Sequence, residues 1–309
     1  MKFALVFPGQ GSQAVGMMQA YGEAPAIRRT FDEASAALGD DLWRMVSEGP
    51  AEALSQTVNT QPVMLTAGVA VWRAWQDRGG PMPAVVAGHS LGEYTALVAA
   101  GALAFGDAVP LVRFRAQAMQ EAVPKGEGAM AAILGLDDDS IRAACAEAAQ
   151  GQVVEAVNFN GPGQTVIAGH AAAVARAAEA AKARGAKRAV MLPVSAPFHC
   201  SLMRPAADRL RERLATVDIR RPSVPVLNNA DVRACEDPGE IRDALVRQAA
   251  SPVRWVETVR AMAALGVSHV YECGPGKVLA GLTKRIDGAL QGAALADAAS
   301  LEQALTEAK

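Results

Sequence analysis

Short, continuous apolar runs alternate along the chain with longer segments whose apolar residues recur every three or four positions. FALVF at residues 3–7 is apolar throughout and breaks at once into PGQGSQ, which predicts a buried strand running into a tight loop. A helical segment is predicted from about residue 31, and GDDLW and EGPAEAL carry further helix-start signals. QPVMLTAGVAVWRAW, residues 61–75, predicts a buried helix, and after the GGPMP break AVVAG predicts a second buried strand. Strands alternating with helices predict a mainly parallel sheet covered by helices.

Between residues 126 and 194 the rhythm changes. AMAAILGL predicts a strand, DDSIRAACAEAAQ a helix, VVEAVNF and QTVIAGH two strands, AAAVARAAEAAKARG a helix and KRAVMLPV a strand. That β-α-β-β-α-β order is the ferredoxin-like arrangement. The expected fold is therefore α/β: a large α/β-hydrolase-like domain from residues 1–125 and 195–309, interrupted by a small ferredoxin-like subdomain at 126–194. In the second part of the large domain MRPAADRLRERLA predicts a helix, VPVLNN a strand, IRDALVRQ and WVETVRAMAALG helices, VSHVYECGPG a strand and turn, and KVLAGLTKRI a last helix before an Ala-rich end.

Composition narrows the classes of function. Of 309 residues 51% are hydrophobic, 20% charged and 5% aromatic, a globular profile unlike that of disordered chains. A net charge of −2 gives no bulk attraction for nucleic acid or an anionic membrane, so any charged partner must meet a local patch. Cys145, Cys200, Cys235 and Cys273 lie far apart with no metal-ligand spacing, so no metal site is expected and a reducing cytoplasm is the simplest setting. The N-terminal residues lack a signal-peptide pattern, and the apolar stretch AVVAGHSLGEYTALVAAGALAF carries His89 and Glu93, which argues against a membrane span.

The strongest chemical signal is GHSLGEY, residues 88–94, because its GxSxG lies between a predicted strand and a predicted helix. Such a turn would expose Ser90 Oγ at the helix start, where the Leu91 N–H favours a developing oxyanion. A serine hydroxyl needs a base, and there are 4 histidines. His89 should point away from its neighbour and position the turn, while His170 and His269 suit structural or solvent-facing roles. His199, in the SAPFHC loop where the inserted subdomain rejoins the large domain, lies where a cleft is expected and is the candidate base. Cys200 beside it cannot readily pair with it, since neighbouring side chains diverge in an extended segment. No acidic partner for His199 is marked by pattern, and a backbone carbonyl could serve. The FPGQGSQ loop, residues 7–13, offers glycine-exposed N–H groups to complete an oxyanion hole with Leu91. Arg113 and Arg115 sit two apart on a predicted helix, so one should face inward, and a buried arginine near a cleft would demand a carboxylate.

Taken together, FPGQGSQ, GHSLGEYTALVAAG, RFRAQAM, VNFNGPGQTVIAG, SAPFHCSLM, VPVLNN, RQAASPVRW and YECGPGKVLAGLTKRI closely resemble, in order, the bacterial malonyl-CoA:acyl carrier protein transacylases. The resemblance implies a ping-pong transfer of malonyl from malonyl-CoA to the phosphopantetheine thiol of acyl carrier protein, in fatty acid or polyketide synthesis. It implies Ser90 as nucleophile, His199 as base and the Gln10 and Leu91 amides as oxyanion hole. Arg115 would grip the malonyl carboxylate, and the Gln248 carbonyl would orient the histidine. Asn160 and Asn229 fall near the cleft, with turn and strand-end roles equally open. Phe198 departs from many free-standing relatives, which carry a smaller residue there; in related domains Phe goes with malonyl preference. No metal or redox cofactor is implied, and a monomer is expected. An acidic carrier protein would need a local basic patch, for which Lys187, Arg188, Lys277, Lys284 and Arg285 are candidates. A serine hydrolase or thioesterase using the same pair, and a catalytically idle carrier-protein-binding module, are the competing readings.

Overall fold

The computed structural model describes residues 1–309. The chain begins with β1 (Phe3–Phe7), α1 (Pro25–Leu38), α2 (Leu42–Glu48), α3 (Ala51–Leu54) and α4 (Thr57–Asp77), then β2 (Val85–Gly88), α5 (Gly92–Ala99) and α6 (Phe105–Glu121). There follow β3 (Gly128–Leu134), α7 (Asp138–Ala149), β4 (Val154–Gly161), β5 (Gln164–His170), α8 (Ala171–Ala183) and β6 (Arg188–Met191). The chain ends with α9 (Arg204–Leu214), β7 (Val226–Leu227), α10 (Pro238–Ala249), α11 (Trp255–Ala264), β8 (His269–Glu272), α12 (Val278–Ile286), β9 (Gln291–Ala294) and α13 (Ala298–Ala308).

Five strands form one sheet in the order β7-β2-β1-β8-β9, every pairing parallel. β1 is central and buried on both faces, which is why FALVF is apolar without alternation. Phe7 is in register with Gly88, so the loops leaving β1 and β2 emerge side by side at the carboxyl edge of the sheet. That edge is where open α/β sheets place their ligands.

The other four strands form an antiparallel sheet in the order β4-β5-β3-β6. Here alternation does appear. Ile133, Ile167 and Val154 pack under α7 and α8 with Ile141, Cys145 and Val174, while Met130, Val166 and Val157 face the opposite way into the main core. The small sheet thus turns a half-apolar face toward the carboxyl edge of the large one, and a cleft lies between them. No helix of the molecule is long and apolar enough to cross a membrane.

Four elements differ from expectation. α1 starts at Pro25 rather than near residue 31, because Pro fits the first helical turn and Ala26, Ile27, Thr30, Phe31 and Ala34 form one buried stripe. KVLAGLTKRI is not the last helix: β9 adds an edge strand and α13 closes the fold, its Asp297 and Ser300 forming a reciprocal cap and Leu301, Ala304, Leu305 and Ala308 its buried face. The VPVLNN strand shrinks to the two residues of β7.

Candidate active site

Between β2 and α5 the chain turns so tightly that side chains are excluded. A Cβ on Gly88 would lie 1.8 Å from Gly92 C, and one on Gly92 would lie 2.1 Å from Phe7 O. Ser90 sits between them at φ +52, a left-handed conformation that costs a non-glycine residue roughly 1–3 kcal/mol and must be held by its surroundings. Two amides hold it. Asn229 accepts from Ser90 N–H at 2.7 Å and donates to Gly88 O at 2.7 Å, and Gln248 Nε2 donates to Ser90 O at 2.9 Å. Glu93, in the first turn of α5, holds both residues: its Oε2 accepts from the backbone N–H of Asn229 and from the side-chain Nε2 of Gln248, each at 2.9 Å. With two N–H groups against it, Oε2 can only accept, so the Gln248 amide presents Oε1 the other way, toward Arg115. Burial pushes the Glu93 carboxyl up to about 7. His89 turns away from the serine, with Nε2 2.8 Å from Asn160 Oδ1 and its ring against Trp255.

His199 Nε2 stands 2.7 Å from Ser90 Oγ, and its Nδ1 lies 3.0 Å from the Gln248 carbonyl. A carbonyl can only accept, so Nδ1 carries the proton and Nε2 is left free to receive one. Burial, aided by the nearby Arg115 charge, pushes the imidazole down to about 3, which keeps it neutral at physiological pH. Cys200 points elsewhere, toward Pro197 O, and burial lifts its thiol to about 12.

Arg115, on α6, is 1% exposed. Its Nη1 donates to Gln61 Oε1 at 2.8 Å, and Nη2 to Gln248 Oε1 at 2.9 Å and Ser90 Oγ at 3.1 Å. The guanidinium also lies over the Tyr94 ring. Every partner is neutral and Nε has none, although buried charges are ordinarily paired with opposite charge. Arg113 faces outward and pairs with Asp40 at 2.8 Å.

Ser90, His199 and Arg115 open into a cavity of about 510 Å³ in the cleft, lined also by Gln10, Leu91, Gln61 and Phe198. The backbone N–H groups of Gln10 and Leu91 have no acceptor within the chain, and the Gln10 side chain is steadied by Thr57 Oγ1 at 3.2 Å. Met119, Met130, Leu192 and Val194 supply apolar wall. His170 and His269 lie apart from the cleft: His170 Nδ1 accepts from Val153 N–H, and His269 Nδ1 lies 2.9 Å from Ser268 Oγ.

The five candidate docking cations are exposed. Arg188 is in register with Leu134, Leu134 with Gln164, and Gln164 Oε1 accepts from Arg285 Nη1 at 3.0 Å. Two strand spacings, roughly 10 Å, thus separate the backbone of Arg188 from that of Gln164, whose side chain reaches Arg285. Lys182 and Arg184 nearby are by contrast tied to Glu179 and Glu147.

Pattern reading missed Gln61 and Glu93 and left Asn229 open. Glu93 did carry a signal, as the one charge inside an otherwise apolar helix, three residues after Ser90. Gln61 heads an apolar helix and looks there like a helix-start residue.

A strained serine, a neutral imidazole oriented by a carbonyl and two unengaged N–H groups have the geometry of enzymes that carry an acyl group on a serine ester. The chain belongs to the acyl transferase domain family, which matches it over residues 4–294. It is 59% identical over 307 residues to the malonyl CoA-acyl carrier protein transacylase of Salmonella typhimurium, covering 99% of each chain. Among solved structures it resembles an acyl-carrier-protein S-malonyltransferase from Burkholderia pseudomallei, with TM-score 0.98 and 65% identity over 99% of this chain and 100% of the other. It also resembles a malonyl-transacylase solved in complex with its type II PKS acyl-carrier protein, with TM-score 0.98 and 54% identity over 99% of this chain and 100% of the other.

Proposed function

We propose that this chain transfers the malonyl group of malonyl-CoA to the phosphopantetheine thiol of acyl carrier protein, through a malonyl ester on Ser90, supplying extender units for fatty acid or polyketide synthesis. One observation carries the choice of substrate. Arg115 is a buried cation with only neutral partners, its Nη2 3.1 Å from the serine oxygen that would hold the acyl group. The one carboxyl near it, Glu93, is held an amide away behind Gln248; a malonyl carboxylate supplies a direct counter-charge, and acetyl does not.

In the first half-reaction His199 Nε2 takes the Ser90 proton as Oγ attacks the thioester carbonyl. The Gln10 and Leu91 N–H groups receive the oxyanion, and the Gln248 carbonyl steadies the imidazolium through Nδ1–H. Collapse breaks the C–S bond, and CoA leaves as a thiol with the proton from His199. The second half-reaction runs in reverse order with the carrier's thiol: His199 takes its proton, the sulfur attacks the ester, and Ser90 Oγ regains the proton. These steps call on no cofactor. Phe198, 9% exposed in the cavity wall, leaves less room for a branched acyl chain.

Lys187, Arg188, Lys277, Lys284 and Arg285 form the docking surface for the acidic carrier in this reading. Charge reversal at Lys187 and Arg188 should raise the apparent KM for carrier protein, and an unaltered KM removes those two from the surface. Four buried, unpaired cysteines support assignment to a reducing cytoplasm. The transfer reading is tested by following radiolabelled malonyl in the presence of holo acyl carrier protein. Label on the carrier supports transfer; label released only as free malonate refutes it.

A further inference from the structure

Strand β4 ties several parts of the site together. Its backbone bridges the segment that follows α10, Val253 N–H donating to Val157 O at 2.8 Å and Phe159 N–H to Val253 O at 3.0 Å. That segment lies just beyond Gln248, whose carbonyl orients His199. Farther along β4, Asn160 holds His89. The remaining tie is Glu155. Its Oε2 accepts from Ser201 N–H at 2.9 Å, and its Oε1 from Ser201 Oγ–H at 2.6 Å. Ser201 is two residues past His199 and opens the helical turn Ser201–Met203 that runs into α9. One carboxylate gripping both the N–H and the O–H of a residue fixes it in two directions.

His199 has a need for such a grip. Its φ of +65 is a conformation that a non-glycine residue keeps only when its surroundings impose it. The ring is held at Nδ1 by the Gln248 carbonyl, but that bond leaves the backbone of the loop free. Glu155 and Ser201 restrain the backbone from the other side.

We propose that Glu155 is a positioning residue for the His199 base. Through Ser201 it docks the histidine loop on β4, the strand that also fixes the segment carrying the Gln248 carbonyl, and so keeps Nε2 at hydrogen-bond distance from Ser90 Oγ. This rests on the reading of Ser90 and His199 as nucleophile and base. A mere helix-capping role for Glu155 would affect stability without touching the reactivity of the serine in folded protein.

The test uses Glu155→Ala, Ser201→Ala, the double variant and Glu155→Gln in the full chain. Two rates are measured on each: acylation by malonyl-CoA before steady state, and inactivation by diisopropyl fluorophosphate, an uncharged reagent for activated serines that makes no demand on Arg115. Glu155→Ala should slow both about tenfold, since small displacements of a catalytic group cost rates of this order. Ser201→Ala, which keeps the N–H bond, should slow both about threefold, within the range of a single lost hydrogen bond. The double variant should be no slower than Glu155→Ala, Glu155→Gln should recover most of the rate, and KM for malonyl-CoA should stay within about twofold, because Arg115 is untouched. Thermal unfolding is followed in parallel. Parent rates in the folded variants, additive losses in the double variant, or a KM that rises in step with the fall in kcat would overturn the proposal. A parent protein that neither reagent labels at Ser90 overturns the underlying reading instead.

Discussion

Replacing Arg115 by alanine should separate substrate choice from catalysis. In the free protein the guanidinium donates to Gln61, Gln248 and Ser90 Oγ and is 1% exposed. A malonyl carboxylate seated against it would be a desolvated ion pair, and removing one partner of such a pair costs about 3–5 kcal/mol. At about 1.4 kcal/mol per factor of ten, kcat/KM for malonyl-CoA should fall by roughly a hundred- to a few-thousand-fold, nearer the low end if water enters the vacated space. Acetyl-CoA has no charge to lose; its loss is limited to the Arg115 bonds to Ser90 Oγ and Gln248, while the 2.7 Å Ser90–His199 contact is made by other atoms, so its kcat/KM should stay within about tenfold. The substitution also strips the Gln61 and Gln248 oxygens of their donor, at about 1–3 kcal/mol each, but this lowers stability for both substrates alike. The assay is competition between malonyl-CoA and acetyl-CoA for transfer to carrier protein, read by mass spectrometry of the carrier. Equal losses for the two acyl groups would refute the counter-ion role.

Gly92→Ala places a methyl 2.1 Å from Phe7 O, a backbone atom that cannot yield; it should cost about 3 kcal/mol or more in denaturant unfolding, with loss of soluble protein. Asn229→Ala abandons Ser90 N–H and Gly88 O and should cost about 2–4 kcal/mol, with slower Ser90 acylation in whatever folds. Burial pushes the Glu93 carboxyl from about 4.5 up to about 7 on folding, so its contribution to folding stability should drop by about 3 kcal/mol as pH rises through that window. Glu93→Gln should flatten that slope, compared by urea unfolding at pH 5 and 8. His199 runs in the opposite direction: burial holds its imidazole at about 3, below the ordinary 6.5, so its own contribution to stability is full above pH 6.5 and falls by about 2 kcal/mol by pH 5. A His199→Gln variant should lose that part of the acid sensitivity.

What could be read from sequence was what local chemistry alone decides. FALVF, the glycines around Ser90 and the β-α-β-β-α-β order each follow from burial, backbone freedom or periodicity within a few residues. QGAA of β9 carries no such pattern, because an exposed edge strand is made by pairing with β8 rather than by its own side chains. α13 was legible in its Asp-Ala-Ala-Ser cap and Leu301–Leu305 spacing, but its alanines disguised it as tail. In the candidate site, Ser90 and His199, which the fold brings to 2.7 Å, were visible because few residue types can serve as nucleophile and base. Gln61, Asn229 and Glu93 were not, since an amide or a carboxyl acquires a role here only through partners up to 155 positions away.

The most direct test of the account is the intact mass of the protein after mixing with malonyl-CoA, set beside Ser90→Ala. One malonyl adduct is expected on the parent and none on the variant, with loss of the adduct when holo acyl carrier protein is added and malonyl appearing on the carrier. An adduct that persists in Ser90→Ala, or a parent that never acquires one, would contradict it.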